Sequence, residues 1–136
     1  MYKRIVIAVI SIMPLLSYSA DWQVLADTKL GQLRLDKASV SKTEQMAKAL
    51  LVYEFKDSQK VMKPPYNLFN RREDDVLVDC SNLLLGVVKR RLFDADKLVS
   101  EAALQTAEVK FNPLVPDTMA ETVINAVCAV TLTNIP

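Results

Sequence analysis

Pro116-Asp117-Thr118-Met119-Ala120-Glu121-Thr122-Val123-Ile124-Asn125-Ala126-Val127-Cys128 is the one stretch of this sequence that reads clearly as a helix. Asp117 or Thr118 can cap its first turn, and Glu121 suits the positive end of the helix dipole. Met119, Val123, Ala126, Val127 and Val130 recur at helical spacing. Ala120, Ile124, Val127 and Cys128 form an adjoining stripe, which puts Cys128 on the buried side. Thr131-Leu132-Thr133-Asn134 is a poor helix, so the expected end falls within a turn of Cys128.

Upstream of this helix the pattern changes to the two-residue period of strands. Asp74-Asp75-Val76-Leu77-Val78-Asp79-Cys80 is strongly strand-like, with Val76, Val78 and Cys80 pointing one way into a core. Met46 to Phe55 reads as the central strand, and Ala49, Leu51, Tyr53 and Phe55 share its face. Leu84 to Phe93 is another strand, joined to Cys80 through a turn at Ser81-Asn82. Trp22–Ala26 and Leu30–Leu35 read as a first hairpin turning at Asp27-Thr28-Lys29. Asp36–Val40 is expected to turn into a short extended piece, and Ser41–Glu44 to form a loop. Asp57-Ser58-Gln59-Lys60 reads as a polar break, and Pro64-Pro65 opens an aromatic loop through Asn70. Glu101–Gln105 has helical propensity, while Ala107, Val109 and Phe111 alternate like an edge strand ending at Pro113. Several strands followed by one helix define an α+β domain. The expected fold is an antiparallel sheet of about five to six strands with the C-terminal helix packed on one face.

The N-terminus carries a different message. Met1-Tyr2-Lys3-Arg4 is a basic start, Ile5–Leu16 is an apolar run, and Ser17-Tyr18-Ser19 supplies small residues for cleavage. The run falls short of the about 20 residues that span a bilayer. We therefore read residues 1–19 as a signal peptide and 20–136 as one mature domain, in preference to an N-terminal membrane anchor. Cleavage is expected after Ser19 or Ala20. The destination is the periplasm or the outer cell surface, with no membrane span left after cleavage. Removing Lys3 and Arg4 tips the formal charge of +1 to the acidic side, so nothing in the charge balance favours nucleic acid.

Cys80 and Cys128 are the only two cysteines, and an even pair in an exported chain reads as a disulfide. It would tether the helix to the sheet. Closing so long a loop stabilises by about 4 kcal/mol in the chain-entropy picture. The chain has no histidine, which removes the usual base for a catalytic thiol and the commonest metal partner. No phosphate loop or calcium loop is present, and no cofactor is expected. These readings favour a protein that is not an enzyme.

The same residues resemble the surface-adhesin protein E family of exported bacterial proteins. Four features carry the resemblance: Trp22 opening the domain; Leu33-Arg34-Leu35-Asp36-Lys37-Ala38-Ser39-Val40; Val78-Asp79-Cys80; and Phe111-Asn112-Pro113-Leu114-Val115-Pro116 leading into the helix from Glu121 through Cys128. The sequence departs from the family at Phe111, where tryptophan is common, and at Asp117-Thr118, which replaces a Gly-Ser pair. Lys56–Arg72 matches no family motif. The resemblance implies a sheet-and-helix fold, export, and binding to host extracellular-matrix or plasma proteins. The alternative is a periplasmic accessory or inhibitor protein docking on an envelope component or enzyme. Oligomeric state is left open, a dimer included.

Two clusters could carry such binding. Lys60, Lys63, Tyr66, Phe69, Arg71 and Arg72 surround Pro64-Pro65 and combine cations with aromatics, the composition of a protein-binding surface. The blander reading is a connection whose Tyr66 and Phe69 merely cover the sheet edge. Lys89-Arg90-Arg91 is the densest basic run, but on a strand Lys89 and Arg91 face one side and Arg90 the other. It is read as a solvated strand end. Glu73-Asp74-Asp75 is likewise read as a strand start and not as a cation site.

Overall fold

The computed structural model describes residues 19–43, 46–105 and 108–130. Residues 1–18, on which most of the signal-peptide reading falls, lie outside the described residues. The strands are β1 (Trp22–Asp27), β2 (Gly31–Thr43), β3 (Met46–Lys60), β4 (Leu68–Asp79), β5 (Leu84–Asp94) and β6 (Lys97–Ala103). A short β7 (Asn112–Pro113) and a helix α1 (Met119–Ala129) complete the elements. The sheet runs in sequence order, β1-β2-β3-β4-β5-β6, and β7 pairs with β5. Each neighbouring pair is antiparallel. This is the α+β architecture expected from the sequence.

One face of the sheet holds the core. Leu33 and Leu35, Ala47, Ala49 and Leu51, and Val76 and Val78 pack with Val123, Ile124 and Val127 of α1. Ile124 and Val127 are fully buried, which confirms the helical stripe read from the sequence. Thr118 caps the helix: its Oγ1 accepts from the Glu121 N–H at 3.4 Å, and Glu121 Oε2 accepts from the Asp117 N–H at 2.6 Å. The first bond satisfies a donor that a helix start leaves unpaired, and the second ties the Glu121 carboxylate to the residue before the cap. At the other end Lys42 Nζ donates to the carbonyls of Cys128 and Val130, supplying the positive charge that the last turn itself lacks. The Cys80–Cys128 disulfide ties the same end of the helix to β4 across 48 residues of sequence.

Three expectations about the strands need correction. First, Asp36–Val40 is not a turn that ends the strand; β2 continues through it with a register shift between Asp36 and Ser41. Local polar bonds hold this bulge. Asp36 Oδ1 accepts from the N–H groups of Asp21 and Ala38, each at 3.0 Å. Ser39 Oγ donates to the Asp36 carbonyl at 2.6 Å and accepts from Leu50 N–H at 2.9 Å. The hydroxyl stands in where the ladder is interrupted. Ser41–Thr43, read as loop, are strand as well.

Second, β3 and β4 are longer than their apolar stretches. Asp57–Lys60 belongs to β3, and Leu68–Asn70 belongs to β4. Third, β6 occupies Lys97–Ala103, joined to β5 by a tight turn at Ala95, whose φ is 52°. Glu101–Ala103 is therefore strand, and of the expected edge strand only Asn112-Pro113 pairs. The segment before β7 instead folds over Gly86. A Cβ there would lie 2.5 Å from Val109 and 3.2 Å from the Phe111 ring, so the missing side chain makes room for this crossing. Ala107, part of that expected strand, lies outside the described residues.

Candidate functional site

The residues singled out around Pro64-Pro65 fall into two groups. Past Gly31↔Phe55 and Arg71↔Phe93, β3 and β4 leave their outer neighbours behind. They pair on with each other to Gln59↔Phe69 and Lys60↔Leu68, forming a two-stranded arm. Lys60, Lys63 and Tyr66 sit at its tip. Val61 N–H donates to Asn67 O and Tyr66 N–H to Lys63 O, both at 2.9 Å, which closes the turn. Met62 is 91% exposed, Tyr66 54% and Leu68 46%. Tyr66 has a φ of 54°, a left-handed conformation uncommon for a bulky residue. Lys60 and Lys63 form no ion pair among the described residues.

Phe69, Arg71 and Arg72 lie elsewhere: all three are on β4 and not in the loop. Phe69 packs edge-on against Phe55 at 5.6 Å, and Phe55 meets Tyr53 at 4.5 Å, so this aromatic stack stiffens the base of the arm. Arg71 lies 4.4 Å from the Phe93 ring centroid and 3.6 Å from Glu73. Arg72 lies over Tyr53 at 5.6 Å and beside Asp74 at 3.2 Å. The structure thus separates a solvent-facing tip from two strand-borne arginines already engaged within the domain.

The basic run of β5 is engaged in the same way. Lys89 pairs with Glu101 at 2.6 Å, and Arg91 with Glu73 and Asp75 at 3.3 and 3.1 Å. Arg90 forms a two-pronged bond to Asp74, from Nε at 2.8 Å and from Nη2 at 3.0 Å. The hydrogen bond to Asp74 raises the Arg90 pKa above its ordinary value, whereas burial lowers that of Arg72. Cross-strand register produces two of these pairs directly, Asp74↔Arg90 and Glu73↔Arg91, while Arg91–Asp75 and Lys89–Glu101 are diagonal contacts. Each cation of the run meets an acid, though Asp74 is shared between Arg90 and Arg72. The split of Lys89 and Arg91 from Arg90 across two faces agrees with the alternation expected of a strand.

Sequence reasoning missed Met62 and Leu68 at the tip, and it missed Arg90–Asp74–Arg72 as a unit. The first two stand beside the residues that were chosen and differ in being neither charged nor aromatic. The trio could be found only from register. Among the described residues no cluster of His, Cys, Asp and Glu is arranged to hold a metal ion. No described helix is long and apolar enough to cross a membrane.

These features define a class: a disulfide-locked α+β domain, with a helix held on one face of an open sheet and an exposed hairpin arm. The chain belongs to the Surface-adhesin protein E family, whose sequence model matches residues 22–129. Solved structures of Haemophilus influenzae protein E share the fold. One is 18% identical, with a TM-score of 0.53 over 71% of this chain and 76% of that one. The protein from a non-typeable strain is 17% identical, with a TM-score of 0.56 over 87% and 82%. A selenomethionine form is 18% identical, with a TM-score of 0.56 over 84% and 93%. No curated protein sequence matches.

Proposed function

We propose that this chain is an exported, non-enzymatic adhesin that displays the β3–β4 arm at the outer cell surface and grips a host extracellular-matrix or plasma protein with its tip. The observation that carries the proposal is the tip itself. Met62, Tyr66 and Leu68 are exposed together, beside Lys60 and Lys63, on a hairpin that reaches past the rest of the sheet. Apolar and aromatic side chains ringed by cations have the make-up of an interface centre with a polar rim. Tyr66 held with positive φ is the kind of local strain that a fold retains for recognition. Membership of an adhesin family and the signal-like N-terminus support the placement outside the cell. Residues 1–19 act as the signal peptide in this reading and 20–136 as the secreted domain.

The test has two arms. Intact cells are treated with an antibody against the domain, and purified domain is assayed on immobilised matrix and plasma proteins. Surface labelling is expected, together with saturable binding that Met62→Ser/Tyr66→Ser lowers at least tenfold and Lys89→Ala/Arg91→Ala leaves within about twofold, roughly 0.4 kcal/mol. Labelling only after the outer membrane is opened, with capture of an envelope component, would favour a periplasmic accessory protein instead.

A further inference from the structure

Between the first turns of α1 and the sheet lies a cleft of about 210 Å³. Leu33, Leu51, Leu85 and Val87 from the sheet and Val123 from the helix make it apolar. Its polar wall is Arg72, Asp74 and Arg90. The Asp74 side chain is 8% exposed, and it is shared by two guanidinium groups that are 33% and 44% exposed. One carboxylate therefore answers two cations. Arg90 takes the hydrogen bonds, and Arg72 Nε, though 3.2 Å from Asp74 Oδ2, makes none. Glu121, the acid of the nearby first turn, is turned back onto the Asp117 N–H. The wall sets two part-exposed guanidinium groups against one carboxylate, and so keeps an excess positive charge beside an apolar lining.

We propose that this cleft binds a carboxylate borne on a short apolar group, the anion bridging Arg72 and Arg90 and the apolar group filling the space beside Leu85, Val87 and Val123. Charge complementarity sets the head of the ligand, since a second carboxylate completes the two-to-two pairing that Asp74 begins. Volume sets the tail. The space equals about seven water volumes and falls below the about 300 Å³ typical of larger ligands. The chain end of a polypeptide with an apolar last residue and a free aliphatic acid share this chemistry. The site is independent of the hairpin tip, so neither reading depends on the other.

The purified exported chain, isotope-labelled at Leu and Val methyls, is titrated with N-acetyl-leucine and with hexanoate, and in parallel with their uncharged amides. Either acid is expected to move the Leu85, Val87 and Val123 methyls saturably, each amide at least tenfold more weakly. The tighter of the two acids identifies the source. Arg72→Gln and Arg90→Gln are each expected to weaken the acid at least tenfold. Ala120→Leu, which fills the cleft without changing its charge, is expected to abolish the shifts. Absence of saturable shifts with both acids, equal binding of acid and amide, or unchanged binding in Ala120→Leu would overturn the proposal.

Discussion

The two ends of the β3–β4 pair are built from the same hairpin and do opposite things. At the end near Ala47 and Val78, both strands are covered by α1 and flanked by β2 and β5. Side chains there alternate in and out, and the inward set is buried. At the other end, beyond Lys56 and Asn70, which still bond to Leu30 and Ala95, the strands pair only with each other among the described residues. A lone two-stranded ribbon is marginal in water, and here it leans on the Phe55–Phe69 contact at its base. Apolar residues at the first end hold the domain together. At the second, Met62 is 91% exposed and Tyr66 54%. Hydrophobicity alone therefore does not tell core from contact surface; the presence of a covering layer does.

Four variants probe that contrast, in descending order of effect. Val123→Asp and Ile124→Asp each place an unpaired charge on the buried face of α1, where the parent residues are 3% and 0% exposed. Each is expected to cost about 5 kcal/mol or more, enough to leave much of the domain unfolded in a urea titration. Melting like the parent would mean that α1 does not pack as described. Next, the double change Cys80→Ala/Cys128→Ala frees a loop spanning 48 residues. The expected loss is about 4 kcal/mol, with Tm falling by about 15 °C in calorimetry. Unreduced parent protein should show no reactive thiol in the same preparation. At the far end, Met62→Ser/Tyr66→Ser should change stability by no more than about 0.5 kcal/mol while removing partner binding. A large loss of stability there would show that the tip packs against something, and the contrast between the ends would fail.

Legibility in the sequence followed burial. The helix could be read because Val123, Ile124 and Val127 on one face are buried, although Met119 at the start of that stripe is 41% exposed. Val76, Val78 and Cys80 were equally plain. The arm was not, because Asp57–Lys60 is polar throughout and Leu68–Asn70 has only Phe69 packed inward, so neither shows alternation. The β5–β6 turn escaped notice because Ala95 holds a positive φ that Gly or Asn usually marks. The bulge at Asp36 was mistaken for a strand end, since an acid followed by a serine is also how turns are written.

The sequence by itself determined the class of fold, the tie between helix and sheet, and the signs of export. Periodicity, an isolated pair of cysteines and a basic-apolar-small N-terminus are local properties, readable without neighbours. Only the tertiary structure decided which charges remain available. Strand register set Asp74 against Arg90 and Glu73 against Arg91, and a diagonal contact set Lys89 beside Glu101, so each cation of the densest basic run has an acid partner. It also brought Arg72 and Arg90, far apart along the chain, to one carboxylate at the edge of an apolar cleft. Pairing across strands depends on contacts between distant segments, and these form only when the chain has folded.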